Sequence, residues 1–255
     1  MESAGEALKQ VSPMKIGDYE FTGKPKELVP PDEFVEELVN FNKNLRQEHV
    51  VARVRAFMDR STEDVWFRYV AQSWAIESKI LDAMALQIIA VPSWGLDNHS
   101  LKYSLIRRFG DEAKHAKLWE DLCLKKGWIK SRKDIYSHPY FRAVPEWQSY
   151  ISWLHTASGY PMPVMFAAGT ITGEGNQIAV FKELAAKMND PEIRSVLLIN
   201  LFDESMHFNL GKYYIKKYAI TPELQELCRW AAAMGTWLTT SGAKAIYKFC
   251  MDDYP

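Results

Sequence analysis

Two short strings in this chain repeat one arrangement of acidic and imidazole side chains. Residues 111–115 read DEAKH and residues 203–207 read DESMH, so each string places a glutamate three residues before a histidine. Residues three apart are neighbours on one face of an α-helix, and each pair could therefore hold one metal ion from one side. Carboxylates and a neutral imidazole suit iron, manganese and similar cations, whereas the lack of thiolate ligands disfavours structural zinc.

Both pairs follow the spacing of a buried helix face. The stripe through Glu112 and His115 and the stripe through Glu204 and His207 recur at three and four residues among mainly apolar positions. The first stripe also contains Leu101, Leu105 and Trp119, and the second contains Ile193, Val196, Asn200 and Gly211. We therefore expect both pairs to point into the protein interior.

Two further glutamates are expected to face these pairs. If the helices form antiparallel hairpins, reflecting Glu112 about a turn near residues 94–95 gives Glu77, and the same operation on Glu204 gives Glu174. A buried carboxylate needs a partner of opposite charge. We expect no lysine or arginine on these stripes, so two divalent cations are predicted to neutralise the cluster. A purely structural polar network is the alternative.

Start and stop signals predict that long helices position these residues. Capping residues and prolines mark the helix starts, and Gly127 marks one helix end. The predicted helices cover about 31–58, 61–91, 98–127, 146–156, 163–188, 190–218 and 221–250. Residues 1–31 are polar, hold four prolines and are predicted to form a flexible N-terminal arm, and residues 32–255 a single helical domain.

Composition restricts the class of protein. The 255 residues are 47% hydrophobic and 25% charged, which excludes disorder for most of the chain. A net charge of −1 gives no overall attraction to nucleic acid, which is not an expected partner. Three scattered cysteines, the lack of a signal-peptide pattern and the lack of a membrane-spanning run indicate a cytoplasmic protein with no membrane partner.

The set of six candidate ligands resembles that of the ferritin-like di-iron carboxylate proteins. Their pattern is Glu, Glu-x-x-His, Glu, Glu-x-x-His on four helices of a bundle with one long crossover. The matching residues here are Glu77, Glu112, His115, Glu174, Glu204 and His207. The resemblance implies an all-α, ferritin-like four-helix bundle with additional N- and C-terminal helices, in which residues 128–162 form the crossover.

An aspartate precedes each glutamate, and this Asp-Glu-x-x-His form resembles the motif of the oxygen-activating branch of that family. The branch includes bacterial monooxygenases, ribonucleotide reductase small subunits and acyl-carrier-protein desaturases. The resemblance implies that Asp111 orients His207 and that Asp203 orients His115. Trp119 lies where the ribonucleotide reductase subunit keeps its radical tyrosine, which argues against radical storage.

The function implied by this resemblance is that of an O2-dependent, non-haem di-iron oxygenase or oxidase. Its cofactors would be two iron ions, with manganese or a mixed pair open, and O2 as co-substrate. The substrate would be a small, fairly apolar molecule that is hydroxylated, desaturated, N-oxygenated or cleaved at a C–C bond. A ferredoxin, a reductase or another donor would supply electrons, and a homodimer is open. The alternatives are a ferroxidase or metal-storage bundle and a tRNA-modifying hydroxylase.

Two local features leave more than one interpretation. Gly169, Gly173 and Gly175 surround Glu174, and they indicate either substrate space and a π-bulge or close helix packing. The basic residues of segment 125–133 could dock a partner, or could complement the negative end of a helix.

Overall fold

The computed structural model describes residues 4–11, 13–16, 19–44, 47–92 and 95–251. Nearly all of them are helical, and the prediction of an all-α protein is confirmed. The helices are α1 Ala4–Gln10, α2 Pro31–Asn44, α3 Gln47–Arg60, α4 Glu63–Ala90, α5 Leu96–Lys125, α6 Asp134–Ser137, α7 Pro145–Ala157, α8 Met162–Phe166, α9 Gly175–Lys187, α10 Pro191–Tyr218 and α11 Pro222–Cys250. A 3-10 turn covers Pro139–Phe141, and a π-helical segment, Ala167–Glu174, joins α8 to α9.

Hydrogen-bonded caps determine where several helices begin. The Asp190 carboxylate accepts the backbone N–H groups of Glu192 and Ile193 at 3.0 and 3.1 Å, immediately before α10. The hydroxyl of Thr221 does the same for α11. The hydroxyl of Thr62 caps α4, close to the predicted start at residue 61. Such caps satisfy N–H groups that have no partner within the helix, and for this reason sequence could predict these starts to within a residue or two.

The helix predicted over residues 31–58 is helical wherever the structure describes it, in α2 and α3. Residues 45–46, between them, lie outside the described residues.

Regular elements occur within the predicted N-terminal arm. Helix α1 is followed by an antiparallel hairpin of β1, Met14–Ile16, and β2, Tyr19–Phe21. Leu8 and Phe21 are buried in the same apolar core as residues of α11. This segment therefore packs on the helical body, which differs from the expected loose arm; its flexibility stays a prediction.

Two helical hairpins and one long covering helix form the body around the candidate site. Helix α4 packs along α5, and α9 packs along α10, as two antiparallel pairs. Helix α11 packs against the π segment and against α7, which belongs to the connection between α5 and α8. Among the described residues, no helix is long and apolar enough to cross a bilayer.

Candidate metal centre

The structure brings all six candidate ligands together at the centre of the two hairpins. Glu77 comes from α4, Glu112 and His115 come from α5, Glu174 is the last residue of the π segment, and Glu204 and His207 come from α10. All six are buried, and His115 and Glu204 have no exposed surface. The prediction that both Glu–His pairs point into the protein interior is therefore confirmed.

The six residues form two overlapping groups of four. One group is Glu77, Glu112, His115 and Glu204, and the other is Glu112, Glu174, Glu204 and His207. In each group, the four potential ligand atoms lie within 4.8 Å of one another. Glu112 and Glu204 belong to both groups, as bridging carboxylates do in dinuclear metal sites.

The two oxygens of each shared carboxylate point to different histidines. Glu112 Oε2 lies 3.0 Å from His115 Nδ1, and Glu112 Oε1 lies 3.4 Å from His207 Nδ1. Glu204 Oε1 and Oε2 lie 3.7 Å from the same two nitrogens, one each. The imidazole rings are 6.4 Å apart between centroids. The centre is therefore arranged as two neighbouring half-sites.

Each histidine contacts an aspartate on the opposite helix. Nε2 of His115 lies 3.0 Å from Asp203 Oδ2, and Nε2 of His207 lies 3.2 Å from Asp111 Oδ2. If Nε2–H donates to the aspartate, Nδ1 keeps its lone pair directed at the cluster, which is the tautomer that a metal requires. These are the pairings that the sequence predicted, and the orienting role itself stays a prediction.

Lys114 links the two aspartates. Its Nζ lies 2.8 Å from Asp111 Oδ1 and 2.7 Å from Asp203 Oδ2. The lysine lies within the DEAKH string, one residue before His115, but the sequence analysis gave it no role. Its charge holds both carboxylates in place next to the histidines.

Arg108 is the main residue that the sequence analysis missed. It lies one helical turn before Glu112, it is 4% exposed, and its Nη2 forms an ion pair with Glu174 Oε1. Its Nε lies 3.8 Å from Glu112 Oε1. The expectation that no basic residue shares these stripes is therefore wrong. Positions 105, 108 and 112 carry the three-and-four spacing that would have revealed it.

The pKa values of the buried glutamates are shifted in different directions. Burial raises the pKa of Glu174 to about 7, although Arg108 and His207 oppose that shift. Burial and the charges of Glu112 and Glu204 raise the pKa of Glu77 well above its usual range. Burial also acts on Glu112, but hydrogen bonds from His115 and His207 outweigh it and lower its pKa.

The histidines are strongly basic in the absence of metal. Burial alone would lower the pKa of His207, but its close contacts with the Glu112 and Glu204 carboxylates and the charge of Glu174 raise it to about 11. The pKa of His115 is raised by the same kind of contacts, which outweigh its burial. A metal ion binding here must therefore displace protons from the histidines.

The buried oxygens provide a test of whether cations fit. Within the described part of the chain, neither carboxylate oxygen of Glu204 nor of Glu174 has a well-directed hydrogen bond, and the same holds for His207 Nδ1. Glu174 is close to Arg108, yet that ion pair lacks hydrogen-bond geometry. Unsatisfied anionic oxygens in the interior are costly. Cations bound between them would remove that cost, so the donor set fits two metal ions.

The π-helical segment places Glu174. A π turn leaves carbonyls without their usual helical partner, and here Tyr150 Oη donates to the carbonyl of Gly169 at 3.3 Å while Asn42 donates to that of Ile171. A Cβ at Gly173 would overlap the Tyr150 hydroxyl. The segment is therefore π-helical and closely packed at Gly173. The interpretation of the glycines as space for a substrate stays a prediction.

A cavity adjoins the centre at Glu77. Its volume is about 120 Å³, and Glu77 forms part of its wall together with apolar side chains of α3, α4, α9 and α11. Gln177 also lines it and donates from Nε2 to Glu77 Oε1 at 3.1 Å. A small molecule in this cavity would lie directly beside one candidate ligand.

Trp119 and the basic segment lie outside the ligand groups. Trp119 is fully buried one turn beyond His115, between the rings of Tyr69 and Phe181. In the basic segment, Lys126 Nζ lies 2.5 Å from Asp190 Oδ2 and 2.9 Å from Glu192 Oε2, at the start of α10. Lys126 is therefore paired with acidic side chains at a helix start, and docking of a partner by the basic segment stays a prediction.

Comparison with known proteins shows a similar fold but does not assign the chain to a family. No family model and no curated protein matches this sequence. Among solved structures, it is similar to a TenA homolog from Pseudomonas syringae pv. tomato strain DC3000, with a TM-score of 0.60 and 15% sequence identity. The match covers 90% of this chain and 100% of that chain.

This likeness corrects the resemblance drawn from the sequence. The similar structure is a TenA homolog, not a ferritin-like di-iron protein, so the assignment to the ferritin-like family is wrong. The predicted O2-dependent oxygenase or oxidase, its oxidoreductase class, and the ferroxidase and tRNA-modifying alternatives rested on that assignment and are wrong with it. The buried carboxylate–histidine cluster remains, as a group of residues able to hold metal.

Proposed function

We propose that this protein binds two divalent transition-metal ions at Glu77, Glu112, His115, Glu174, Glu204 and His207, and presents them to a small molecule in the adjoining cavity. The observation that carries the proposal is the divergence of the Glu112 and Glu204 oxygens toward two histidines. Carboxylate and imidazole ligands suit iron or manganese. Bound ions held this close would polarise and orient an oxygen-bearing group of the molecule.

The residues of the chain contribute the rest of the proposed function. Asp203 and Asp111 fix the rings of His115 and His207, and Lys114 holds the two aspartates. Apolar side chains of the cavity wall exclude water from the side of Glu77. Exclusion of water strengthens each electrostatic contact within the site.

Metal stoichiometry tests this proposal. Metal-free protein is equilibrated with Mn(II) by dialysis, and bound metal is determined by elemental analysis. We expect two ions per chain for the unaltered protein. Glu204→Gln removes a charged ligand from both half-sites, and we expect fewer than one ion per chain at the same Mn(II) concentration.

Glu226→Gln is the matched control. Glu226 is a fully buried glutamate on α11, close to Arg229 and outside both ligand groups. This variant should keep two ions. If the unaltered protein binds no metal, or if Glu204→Gln binds as much as the control, the cluster is a structural polar network and the proposal is rejected.

A further inference from the structure

The cavity beside Glu77 has two chemically different ends. Four residues of α11, from Thr239 to Tyr247, line its wall, and the helix rises roughly 12 Å over that stretch. Glu77 and Gln177 lie near the Thr239 end, because Asn176 donates to the Thr239 hydroxyl at 2.5 Å. The metal-ligand end is therefore polar, with a carboxyl group and an amide group.

Arg53, from α3, belongs to the opposite end. Its guanidinium interacts electrostatically with Tyr247, and it lines the same cavity. Among the described residues, Nη1 of Arg53 is buried and has no hydrogen-bond partner. Desolvation by burial lowers the pKa of Arg53, with Tyr247 opposing that shift. A buried N–H donor without an acceptor is costly, and an anionic oxygen at this end of the cavity would satisfy it.

The wall between the two ends is apolar. Phe57, Ile76, Val180, Phe181 and Leu184 all line it. The volume of about 120 Å³ approaches that of a cavity of roughly 150 Å³ that binds benzene. The ligand that fits has one negative charge at one end and a compact apolar body.

From this arrangement we infer that the cavity binds a small carboxylic acid, whose carboxylate pairs with Arg53 and whose apolar body extends toward Glu77. A planar carboxylate matches the guanidinium fork better than other singly charged groups do. The reverse orientation would leave the buried Nη1 donor of Arg53 without an acceptor and is therefore disfavoured. This inference names the substrate class of the proposed metal site: the oxygen-bearing group on which the bound ions would act lies at the end of the acid remote from its carboxylate, and this role rests on the proposed function.

Binding of a neutral and a charged probe of the same shape tests the inference. Hexanoate and hexanamide are titrated separately into metal-free protein at pH 7 by calorimetry. We expect hexanoate to bind at least tenfold more tightly than hexanamide, since a charged hydrogen bond replaces a neutral one. Arg53→Gln should abolish this preference, and Arg53→Lys should retain part of it.

Arg55→Gln provides the control on the same helix. Arg55 pairs with Glu183 at 3.1 Å and does not line the cavity, so the preference for hexanoate should remain in this variant. Ala243→Phe fills the cavity and should weaken binding of both probes. Equal binding of the two probes, or an unchanged preference in Arg53→Gln, would overturn the inference, as would a lack of any binding by folded protein.

The metal-free conditions separate this inference from the proposed function. A preference for hexanoate that depends on Arg53 would stand even if the Mn(II) stoichiometry were zero. Conversely, two bound ions per chain together with equal binding of the probes would support the proposed metal centre and reject the inference of a carboxylic acid ligand.

Discussion

At the scale of single residues, the centre consists of four glutamates and two histidines in contact, with one arginine among them. Sequence spacing was sufficient to identify the six candidate ligands, because helical periodicity and hairpin symmetry restrict which side chains can meet. Arg108 has the same helical spacing, four residues before Glu112, so the sequence contained the signal for it as well. Arg108 forms an ion pair with Glu174, so a metal ion bound as proposed would compete with this ion pair for the same carboxylate.

Replacement of Arg108 should therefore have opposite effects on the metal-free and the metal-bound protein. In Arg108→Gln, the buried Glu174 loses its cationic partner, and the metal-free protein should lose about 3 kcal/mol of unfolding free energy. The affinity for Mn(II) should rise roughly tenfold, because a nearby positive charge is gone and Glu174 is released.

Urea unfolding of the metal-free variant and Mn(II) titration measure the two effects. Arg107→Gln is the control, since Arg107 is the exposed neighbour of Arg108. Weaker Mn(II) binding by Arg108→Gln would show that Arg108 supports the centre instead of competing with the metal ions.

At the scale of helices, the sequence predicted where the helices begin better than it predicted irregular geometry within them. Asp190 and Thr221 mark the starts of α10 and α11, because their side chains accept hydrogen bonds from backbone N–H groups that are otherwise free at the helix start. The π segment was indicated only by its glycines, and its extent depends on contacts with distant residues such as Tyr150 and Asn42. Such tertiary contacts cannot be inferred from local spacing.

Close packing of α11 on the π segment should be sensitive to a single added methyl group. A Cβ at Gly235 would approach Thr172 Oγ1 at 2.5 Å and the Ala168 carbonyl oxygen at 2.6 Å. Because backbone cannot easily move away, Gly235→Ala should lower the free energy of unfolding by about 1–3 kcal/mol.

Gly110→Ala is the matched comparison on α5. A Cβ there has no neighbour within 4 Å, so the helix propensity of alanine should increase the stability by up to about 1 kcal/mol. Urea unfolding of both variants measures the difference. A Gly235→Ala variant as stable as Gly110→Ala would refute tight packing against the π segment.

At the scale of the whole molecule, the predicted all-α class was confirmed but the predicted family was wrong. A six-residue pattern restricts only four helix faces, whereas the likeness to the TenA homolog depends on the path of the whole chain. The N-terminal hairpin and α11 lie outside the pattern and contribute to that path. A motif therefore identifies which residues meet, and it leaves open which fold brings them together.

The central claim is that two metal ions share Glu112 and Glu204, and location of the ions in the crystal tests it most directly. Crystals of the protein grown with Mn(II) would be examined by anomalous scattering at an energy where manganese contributes strongly. The account predicts two peaks about 3.5–4 Å apart, each next to one histidine Nδ1, with both glutamates between them. The account would be contradicted by a single peak or by peaks away from these six residues. It would also be contradicted by the absence of any peak, with Glu204 hydrogen-bonded only to other groups of the protein.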